Sequence, residues 1–393
     1  MIKRMLRLFK NNSCFLFGPR GVGKSTLVQY TFHESFSVNF SLLKVEIRER
    51  FLRNPDELSQ IVKALPVHIT HIVIDEIQKA PNLLDVVHDL IESTNKNFIM
   101  TGSSARKLKA GGANLLAGRA LVHNLHPFSV FEIEERFDLE GALQWGLLPK
   151  IFEYSDEDIK IRYLQSYAHT YLKEEIWEEQ IIKDLEPFRR FLEAAAQMNG
   201  KIINYSNISR DVGLNDKTVK SYYAILEDTL IGFFLDGYKH SFRKRLLTKP
   251  KFYFFDTGIT RALARMLSVP IVPRTAAYGE AFEHFIILEC LKLRDEFYSE
   301  YRFSYLQTKD DVEIDLVVER PGQPILLIEI KSTTHVTRET IASFIHLIRD
   351  FGTYEAVCFC DDPLEKIIDN IRVLPWKTGL KRYFTPKNFG TSA

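Results

Sequence analysis

The stretch that most constrains the fold is residues 13–26, which joins a short apolar run to a glycine-rich turn. The run at 14–17 predicts a buried strand, and it leads into the pattern Gly-x-x-x-x-Gly-Lys-Ser and then into a helix-compatible segment. Glycines let successive backbone N–H groups turn inward around an anion, and the helix adds its positive N-terminal end. We predict that ATP and Mg²⁺ bind here, through Gly18, Gly21, Gly23, Lys24, Ser25 and Thr26.

The residue types assign separate roles within this loop. Lys24 is expected to reach the β- and γ-phosphates, and the Ser25 hydroxyl is expected to bind magnesium. A glycine-rich turn that matches the pattern by accident is the alternative. The strand–loop–helix order argues against that alternative, because an accidental match need not have these elements on its two sides.

A second landmark is His-Ile-Val-Ile-Asp-Glu at 71–76. Its apolar residues predict a central parallel strand that brings two carboxylates to the sheet edge where the glycine-rich loop must lie. We expect Asp75 to hold magnesium through water and Glu76 to polarise the attacking water. Acidic residues at a strand end are common without any such role, but the separation of about fifty residues from Lys24 favours this assignment.

Two further positions in this part of the chain are candidates for contact with the phosphates. The apolar strand predicted at 97–100 ends in small hydroxyl residues, of which Thr101 and Ser103 are candidates to sense the γ-phosphate; a plain turn is the alternative. Arg119 ends a glycine- and lysine-rich loop and would supply positive charge to a phosphate in a neighbouring subunit. That role would require a homo-oligomer, and a surface arginine is the alternative.

The order of these motifs and the residues within them resemble those of the AAA+ ATPases. The segments Gly-Pro-Arg-Gly-Val-Gly-Lys-Ser, Asp-Glu-Ile-Gln-Lys-Ala-Pro, Thr-Gly-Ser-Ser and Leu-Ala-Gly-Arg look like those of bacterial and archaeal AAA+ ATPases that carry a C-terminal domain of unknown function. The resemblance extends over nearly the whole chain. It implies an ATPase that hydrolyses ATP.

The middle of the chain predicts a helix-turn-helix over 208–226, followed by two strands of a wing between 233 and 255. Residues 201–260 contain ten Lys/Arg against six Asp/Glu, although the whole chain has a net charge of only +1. This local excess favours contact with the backbone of double-stranded DNA. A contact between subunits or domains is the alternative. The candidate DNA-binding residues are Lys217, Lys220, Arg243, Lys244 and Arg245.

The last part of the chain predicts an amphipathic helix over 279–289 and a hairpin of two strands at 312–319 and 325–330. Alternation along a strand puts Glu329 and Lys331 on one face, and the paired strand lets Asp315 approach them. Asp315 and Glu329 would hold magnesium, which activates water for attack on a phosphodiester, while Lys331 stabilises the developing charge. Glu283, on the helix, would complete the site.

This constellation resembles the PD-(D/E)xK nuclease fold. Asp315, Glu329 and Lys331 match its strand residues, and Glu283 matches its helical glutamate. The resemblance implies a magnesium-dependent nuclease. An inert scaffold that binds a protein partner is the alternative, because a fold does not by itself specify an activity.

A chain of 393 residues is too long for one core. We expect an α/β protein with a P-loop AAA+ domain at 1–130, a helical lid or connector at 131–200, a winged-helix segment at 201–260 and a restriction-endonuclease-like domain at 270–385. The basic N-terminus has no apolar stretch typical of a signal peptide, and no segment approaches membrane-spanning length. Together with four scattered cysteines, this predicts a cytoplasmic protein with reduced thiols.

Overall fold

Contacts divide the chain into two units in the computed structural model, which describes residues 2–104, 116, 118–170, 182, 184–238 and 249–389. The first unit consists of Met1–Glu132, Leu148–Lys150 and Ala224–Ile231. The second unit consists of Ile133–Leu147, Ile151–Tyr223 and Gly232–Ala393.

The short apolar runs of the first unit pair as one parallel sheet, in the order β2-β3-β4-β1-β5. The strands are β1 (Ser13–Phe17), β2 (Ser37–Ser41), β3 (His71–Asp75), β4 (Asn97–Gly102) and β5 (Ala120–Asn124). The helices are α1 (Lys24–Thr31), α2 (Val45–Arg53), α3 (Asp56–Ala64) and α4 (Leu83–Ser93). Because β1 and β3 are buried along their whole length, their sequences are almost continuously apolar, as expected for central parallel strands.

The core of this unit lies between the sheet and its helices. Phe15, Ile72 and Phe98 from the strands pack with Phe51 and Leu90 from the helices. The predicted strands at 14–17, 71–75 and 97–100 are all present, with small differences in their ends. These elements were predictable because their apolar periodicity is strong.

Seven helices within the described residues follow the first sheet. They are α5 (Val130–Ile133), α6 (Leu139–Trp145), α7 (Glu157–Thr170), α8 (Leu185–Gln197), α9 (Tyr205–Val212), α10 (Asp216–Asp228) and α11 (Thr257–Leu263). The predicted helical character of 131–200 is therefore found at 139–145, 157–170 and 185–197, whereas residues 171–181 and 183 of the predicted connector lie outside the described residues.

The predicted helix-turn-helix corresponds to α9 and α10. Asn204 caps α9 by accepting from the Asn207 amide, and Gly213 ends it with a φ of 70°. Asp216, the first residue of α10, accepts hydrogen bonds from Ser206 at 2.6 Å and Ser209 at 2.7 Å, which ties the two helices together. An antiparallel strand pair follows, formed by β6 (Gly232–Leu235) and β7 (Lys251–Phe254). The assignment of these elements as a winged helix stays a prediction.

A mixed six-stranded sheet forms the centre of the C-terminal part, in the order β12-β13-β11-β10-β9-β8. The strands are β8 (Arg302–Gln307), β9 (Glu313–Glu319), β10 (Ile325–Lys331), β11 (Tyr354–Cys360), β12 (Lys366–Ile368) and β13 (Ile371–Pro375). The helices are α12 (Ala276–Phe297), α13 (Ala342–Leu347) and α14 (Trp376–Phe384). Strands β8, β9 and β10 are antiparallel neighbours, and β11 runs parallel to β10.

The predicted hairpin is β9–β10, with Leu316 opposite Ile328. It positions the predicted site because Asp315 and Glu329 lie next to these paired residues. The predicted amphipathic helix is longer than expected and begins at Ala276, after the Thr275 side chain caps it. Cys14, Cys290, Cys358 and Cys360 are all free and buried. None of the helices in the described part of the chain has the length and apolar composition of a membrane span.

Candidate functional site

The glycine-rich loop leaves β1 and ends at the first turn of α1. Gly21 and Gly23 have φ values of 78° and 94°, a region that side chains with a Cβ disfavour. Gly18 is required for a different reason, because a Cβ there would lie 2.3 Å from the Leu125 carbonyl oxygen. The predicted glycines therefore do what the pattern requires, since they allow a backbone path that other residues would prevent.

Lys24 is a charged side chain of this loop that is nevertheless buried. Its ammonium donates to the carbonyl oxygens of Gly18 at 2.7 Å and Pro19 at 3.1 Å, so the positive charge lies against the loop itself. Ser25 and Thr26 follow in the first turn of α1 and are exposed. The loop thus combines an ammonium, a helix N-terminus and an accessible hydroxyl, which suits a nucleotide phosphate with its magnesium ion.

Asp75, at the end of β3, connects this loop to β4. Ser25 Oγ lies 3.4 Å from Asp75 Oδ1, and the Thr101 hydroxyl donates to the same oxygen at 2.5 Å. A hydroxyl and a carboxylate at this separation are suitable oxygen ligands for magnesium or for its bound water. Thr101 contacts the predicted magnesium residue Asp75, and its role as a phosphate sensor stays a prediction.

Glu76 is held by a residue to which the sequence assigned no role. Gln78 is buried and donates through Nε2 to Glu76 Oε2 and, at 3.0 Å, to Ser103 Oγ. Ser103 in turn donates to Glu76 Oε2 at 3.3 Å. Glu76 adopts a left-handed φ of 62°, which is uncommon for a residue other than glycine. The carboxylate is therefore oriented by two neighbours, and the predicted sensor Ser103 is one of them.

Arg119 immediately precedes β5 and forms an ion pair with Glu92 of α4. Both side chains are well exposed, at 40% and 57%. This contact neither requires nor excludes a neighbouring subunit. The proposed action of Arg119 across a subunit boundary stays a prediction.

The second candidate site is a cavity of about 490 Å³ in the second unit. Six carboxylates and three ammonium groups line it, which gives a net charge of −3 when all are ionised. We call it the acidic cavity and define it by Lys251, Glu283, Glu313, Asp315, Glu329 and Lys331. All four residues predicted for the nuclease-like site are among these six. The structure therefore brings them together, as the alternation along β9 and β10 required.

Three of the carboxylates form a group that suits a metal ion. Glu283, Glu313 and Asp315 each place an oxygen within 4.8 Å of the other two. Asp315 is fixed because its Oδ2 accepts from the Ile330 amide at 2.7 Å, and Glu283 because its Oε1 accepts from the Tyr253 hydroxyl at 2.7 Å. Glu313 was missed by the sequence reasoning, although its position two residues before Asp315 puts it on the same face of β9.

Glu329 belongs to the same cavity, but its contacts differ from those of the other three carboxylates. Its Oε1 lies 2.6 Å from the Lys331 ammonium, while its Oε2 is buried without a hydrogen-bond partner. A buried carboxylate oxygen without a partner is costly. A cation bound in the cavity would provide a partner for Glu329 Oε2. The donor set of the cavity therefore fits a divalent cation with oxygen ligands.

Lys251 is the second cavity residue that the sequence reasoning missed. It is the first residue of β7, and its ammonium forms ion pairs with Glu313 and, at 3.5 Å, with Glu283. The Lys251 side chain is only 5% exposed. No sequence signal pointed to it, because a single lysine in a basic segment has no distinctive pattern.

The electrostatics of the acidic cavity show a shortage of positive charge. Burial, followed by the neighbouring Glu329 and Glu283, raises the pKa of Asp315 well above its usual value. Burial likewise raises the pKa values of Glu313 and Glu329, although Lys251 and Lys331 partly offset this. Burial alone would lower the pKa of Lys251, but the facing carboxylates outweigh it and raise that pKa well above its usual value. Such shifts are typical of functional sites.

Two of the five residues predicted to contact DNA are described. Lys217 and Lys220 are exposed on α10, and the Lys220 ammonium lies 5.2 Å from the centre of the Tyr205 ring. Arg243, Lys244 and Arg245 lie outside the described residues. The two lysines are accessible to a phosphate backbone, and their role stays a prediction.

Three family models match successive parts of the chain. Residues 10–134 match an AAA domain, residues 136–269 a domain of unknown function (DUF8612), and residues 278–378 another (DUF4143). An uncharacterized protein of Mycobacterium tuberculosis is 25% identical over 84% of this chain and 73% of its own length. An uncharacterized protein of Methanocaldococcus jannaschii is 23% identical over 94% of this chain and 84% of its own length.

Two solved structures share low overall similarity with the chain. The Aeropyrum pernix ORC1 protein in complex with DNA has 11% identity and a TM-score of 0.25, covering 65% of this chain and 86% of its own. A signal transduction ATPase with numerous domains from Pyrococcus horikoshii has 15% identity and a TM-score of 0.21, covering 73% of this chain and 45% of its own. The chain therefore contains a segment similar to an AAA domain, which includes the glycine-rich loop, followed by two segments similar to domains of unknown function.

Proposed function

We propose that the chain hydrolyses ATP in its first unit and couples this reaction to DNA processing by its second unit. In the first unit, Lys24 would neutralise phosphate charge, and Ser25 and Asp75 would hold magnesium. When bound, magnesium supplies charge stabilisation for phosphoryl transfer. Glu76 would accept a proton from the attacking water, and Gln78 and Ser103 support this role because they orient its carboxylate.

The observation that carries the DNA-processing proposal is the acidic cavity. Glu283, Glu313 and Asp315 would hold a divalent cation, which supplies an activated water for attack on a phosphodiester. Lys331, paired with Glu329, would bring a positive charge beside the phosphate. The unpartnered Glu329 oxygen supports the presence of a cation, because nothing else described in the cavity satisfies it. Lys217 and Lys220 would contact the DNA backbone.

The experiment is an incubation of the purified chain with supercoiled plasmid, with and without Mg²⁺ or Mn²⁺ and with and without ATP. We expect nicked or linear DNA only when a divalent cation is present. An Asp315→Asn protein is the matched control, because it keeps the shape of the side chain and loses the charge. If the wild-type chain neither cuts DNA nor binds Mn²⁺ outside the ATP site, the nuclease part of the proposal is wrong.

One observation favours a second candidate function, a nucleotide-dependent switch whose nuclease-like part only binds a protein partner. The ammonium of Lys251 already contacts two of the three carboxylates that suit a metal ion. Two carboxylates that already share an ammonium in this way would not need a metal. This candidate predicts that ATP changes the protease sensitivity of the second unit, while plasmid stays intact under every metal condition.

A further inference from the structure

The acidic cavity contains a cation that belongs to the chain itself. The Lys251 ammonium lies 3.5 Å from Glu283 Oε1 and even closer to Glu313 Oε1. These two side chains, with Asp315, are the group whose oxygens come within 4.8 Å of one another. The ammonium therefore uses two of the three carboxylates that a divalent cation would need.

The backbone holds Lys251 in this position. Lys251 is paired with Leu235 across the β6–β7 strands and forms an isolated bridge with Ile202. Its ammonium also lies 5.3 Å from the centre of the Tyr305 ring. Because strand pairing fixes the Cα and burial restricts the side chain, the ammonium is part of the cavity and not a mobile surface charge.

Lys331 differs from Lys251 in the carboxylate that it contacts. The Lys331 ammonium pairs with Glu329, which lies outside the group of three, and its side chain is 34% exposed. A cation bound by Glu283, Glu313 and Asp315 would leave the Lys331–Glu329 pair intact. It would, however, compete with Lys251 for Glu283 and Glu313, and two positive charges that share the same carboxylates repel each other.

We infer that Lys251 is an internal counter-ion that sets the affinity of the acidic cavity for divalent cations, because the ammonium and the metal exclude each other. The cavity binds a divalent cation tightly only when the positive charge of Lys251 does not occupy Glu283 and Glu313. This inference rests on the proposed metal site. It adds a specificity-determining residue, supplied by β7, to carboxylates supplied by α12 and β9.

The test measures Mn²⁺ binding to the full chain by electron paramagnetic resonance of the free ion, without nucleotide. All proteins carry Asp75→Asn, which removes the carboxylate proposed for magnesium at the ATP site. Replacing Lys251 by Met keeps the length of the side chain and removes the charge. We expect Lys251→Met to bind Mn²⁺ about tenfold or more tightly than the protein with Lys251.

Lys201→Met is the matched control. Lys201 lines the same cavity, but its ammonium pairs with Glu280 at 3.1 Å and its side chain is 46% exposed. The same change in charge at this position should alter Mn²⁺ affinity by less than about threefold, because solvent screens it. An equal gain in both variants would overturn the inference, since a general change in charge would then explain it.

Two further outcomes separate the inference from the proposed function. If the protein with Lys251 and the Lys251→Met protein bind Mn²⁺ equally tightly, the metal site stands and the counter-ion role is wrong. If neither folded protein binds Mn²⁺, the proposed metal site and the counter-ion role are both wrong. Lys251→Gln keeps a donor for Glu313 without a charge, so it serves as a second variant if Lys251→Met does not fold. It should show the same gain, together with a larger rise in melting temperature on addition of Mn²⁺ than the protein with Lys251.

Discussion

The Thr101 hydroxyl donates to Asp75 Oδ1 at 2.5 Å, and Ser25 Oγ lies 3.4 Å from the same oxygen. One carboxylate oxygen thus connects the end of β4 to the first turn of α1. Since hydrogen bonds from neighbouring groups orient a metal-binding carboxylate, Thr101 is expected to set the direction in which Asp75 faces the nucleotide.

The first prediction concerns this hydroxyl. Thr101→Val keeps the shape of the side chain and removes the donor, so ATP turnover should fall by about tenfold or more. Thr101→Ser restores the hydroxyl and should stay within about threefold of the wild-type rate. Steady-state phosphate release at saturating ATP measures both. An equal loss in the two variants would point to packing at this buried position and not to the hydrogen bond.

The second prediction separates binding from chemistry in the glycine-rich loop. Lys24→Ala should abolish tight ATP binding, because the ammonium neutralises phosphate charge before the reaction begins. Glu76→Gln should bind ATP normally but turn it over at least about a hundredfold more slowly, since it acts on the attacking water. Binding of a fluorescent ATP analogue and phosphate release distinguish the two. Wild-type turnover by Glu76→Gln would remove Glu76 from the chemistry.

The third prediction concerns the acidic cavity. Asp315→Ala should lose both Mn²⁺ binding in the cavity and plasmid cleavage, because it removes a ligand of the proposed ion. Lys331→Ala should keep Mn²⁺ binding and lose cleavage, because an ammonium is not a metal ligand. ATP hydrolysis should stay nearly intact in both, which serves as the control for folding. Loss of Mn²⁺ binding in the Lys331 variant would contradict its assigned role.

The fourth prediction uses the buried His284, whose Nε2 lies 2.7 Å from the Phe254 carbonyl oxygen. Burial lowers its pKa from 6.5 to about 4, with Glu283 opposing this change and Lys292 adding to it. Between these pH values the unfolded chain binds one more proton than the folded chain. The free energy of unfolding should therefore decrease as the pH falls from 6.5 to 4, by up to about 3 kcal/mol.

The measurement is urea unfolding of the second unit at several pH values between 7 and 4, for the wild-type chain and for His284→Gln. The glutamine retains a donor for the Phe254 carbonyl but does not titrate in this range. The buried carboxylates have raised pKa values, so their contribution to the free energy of unfolding increases as the pH falls. This contribution is the same in both proteins and cancels in the comparison. If both proteins lose the same stability, His284 is not the source of the acid sensitivity.

The fifth prediction tests the proposed DNA contact on α10. Replacing Lys217 and Lys220 by Ala should weaken binding of a duplex to a similar extent for all sequences, since phosphate contacts carry no sequence information. The slope of log affinity against log salt concentration should decrease by roughly two ions. Fluorescence anisotropy over a salt series measures this slope. An unchanged slope would place the DNA elsewhere on the chain or nowhere.

The sequence was sufficient for elements whose local pattern is strong. The strand that contains Asp75, the loop around Lys24 and the β9–β10 hairpin were predictable because periodicity, glycine chemistry and alternation act over short distances. The meeting of Asp315, Glu329 and Lys331 followed from the same alternation. The place of Glu283 did not follow from alternation, because it lies on a distant helix, and the resemblance supported its assignment to the site.

The missed residues depend on contacts that no local pattern contains. Gln78 takes its role from Ser103, which lies on a different segment of the chain. Lys251 takes its role from Glu283 and Glu313, which are brought to it by folding. Glu313 is the exception, because its spacing of two residues from Asp315 is a local pattern that places both side chains on the same face of β9.

The position of Lys251 also bears on how this chain is divided into modules. One family match ends at residue 269 and the next begins at 278, so sequence similarity separates Lys251 from Glu283 and Glu313, the two carboxylates with which it forms ion pairs. A fragment that starts at residue 270 would keep the six carboxylates and Lys331 but lose Lys201 and Lys251, so the net charge of the cavity lining would change from −3 to −5. A protein that inherited the C-terminal segment without β7 would therefore inherit a chemically different site. In this chain, the ends of the family matches therefore divide the set of charged residues that line one cavity.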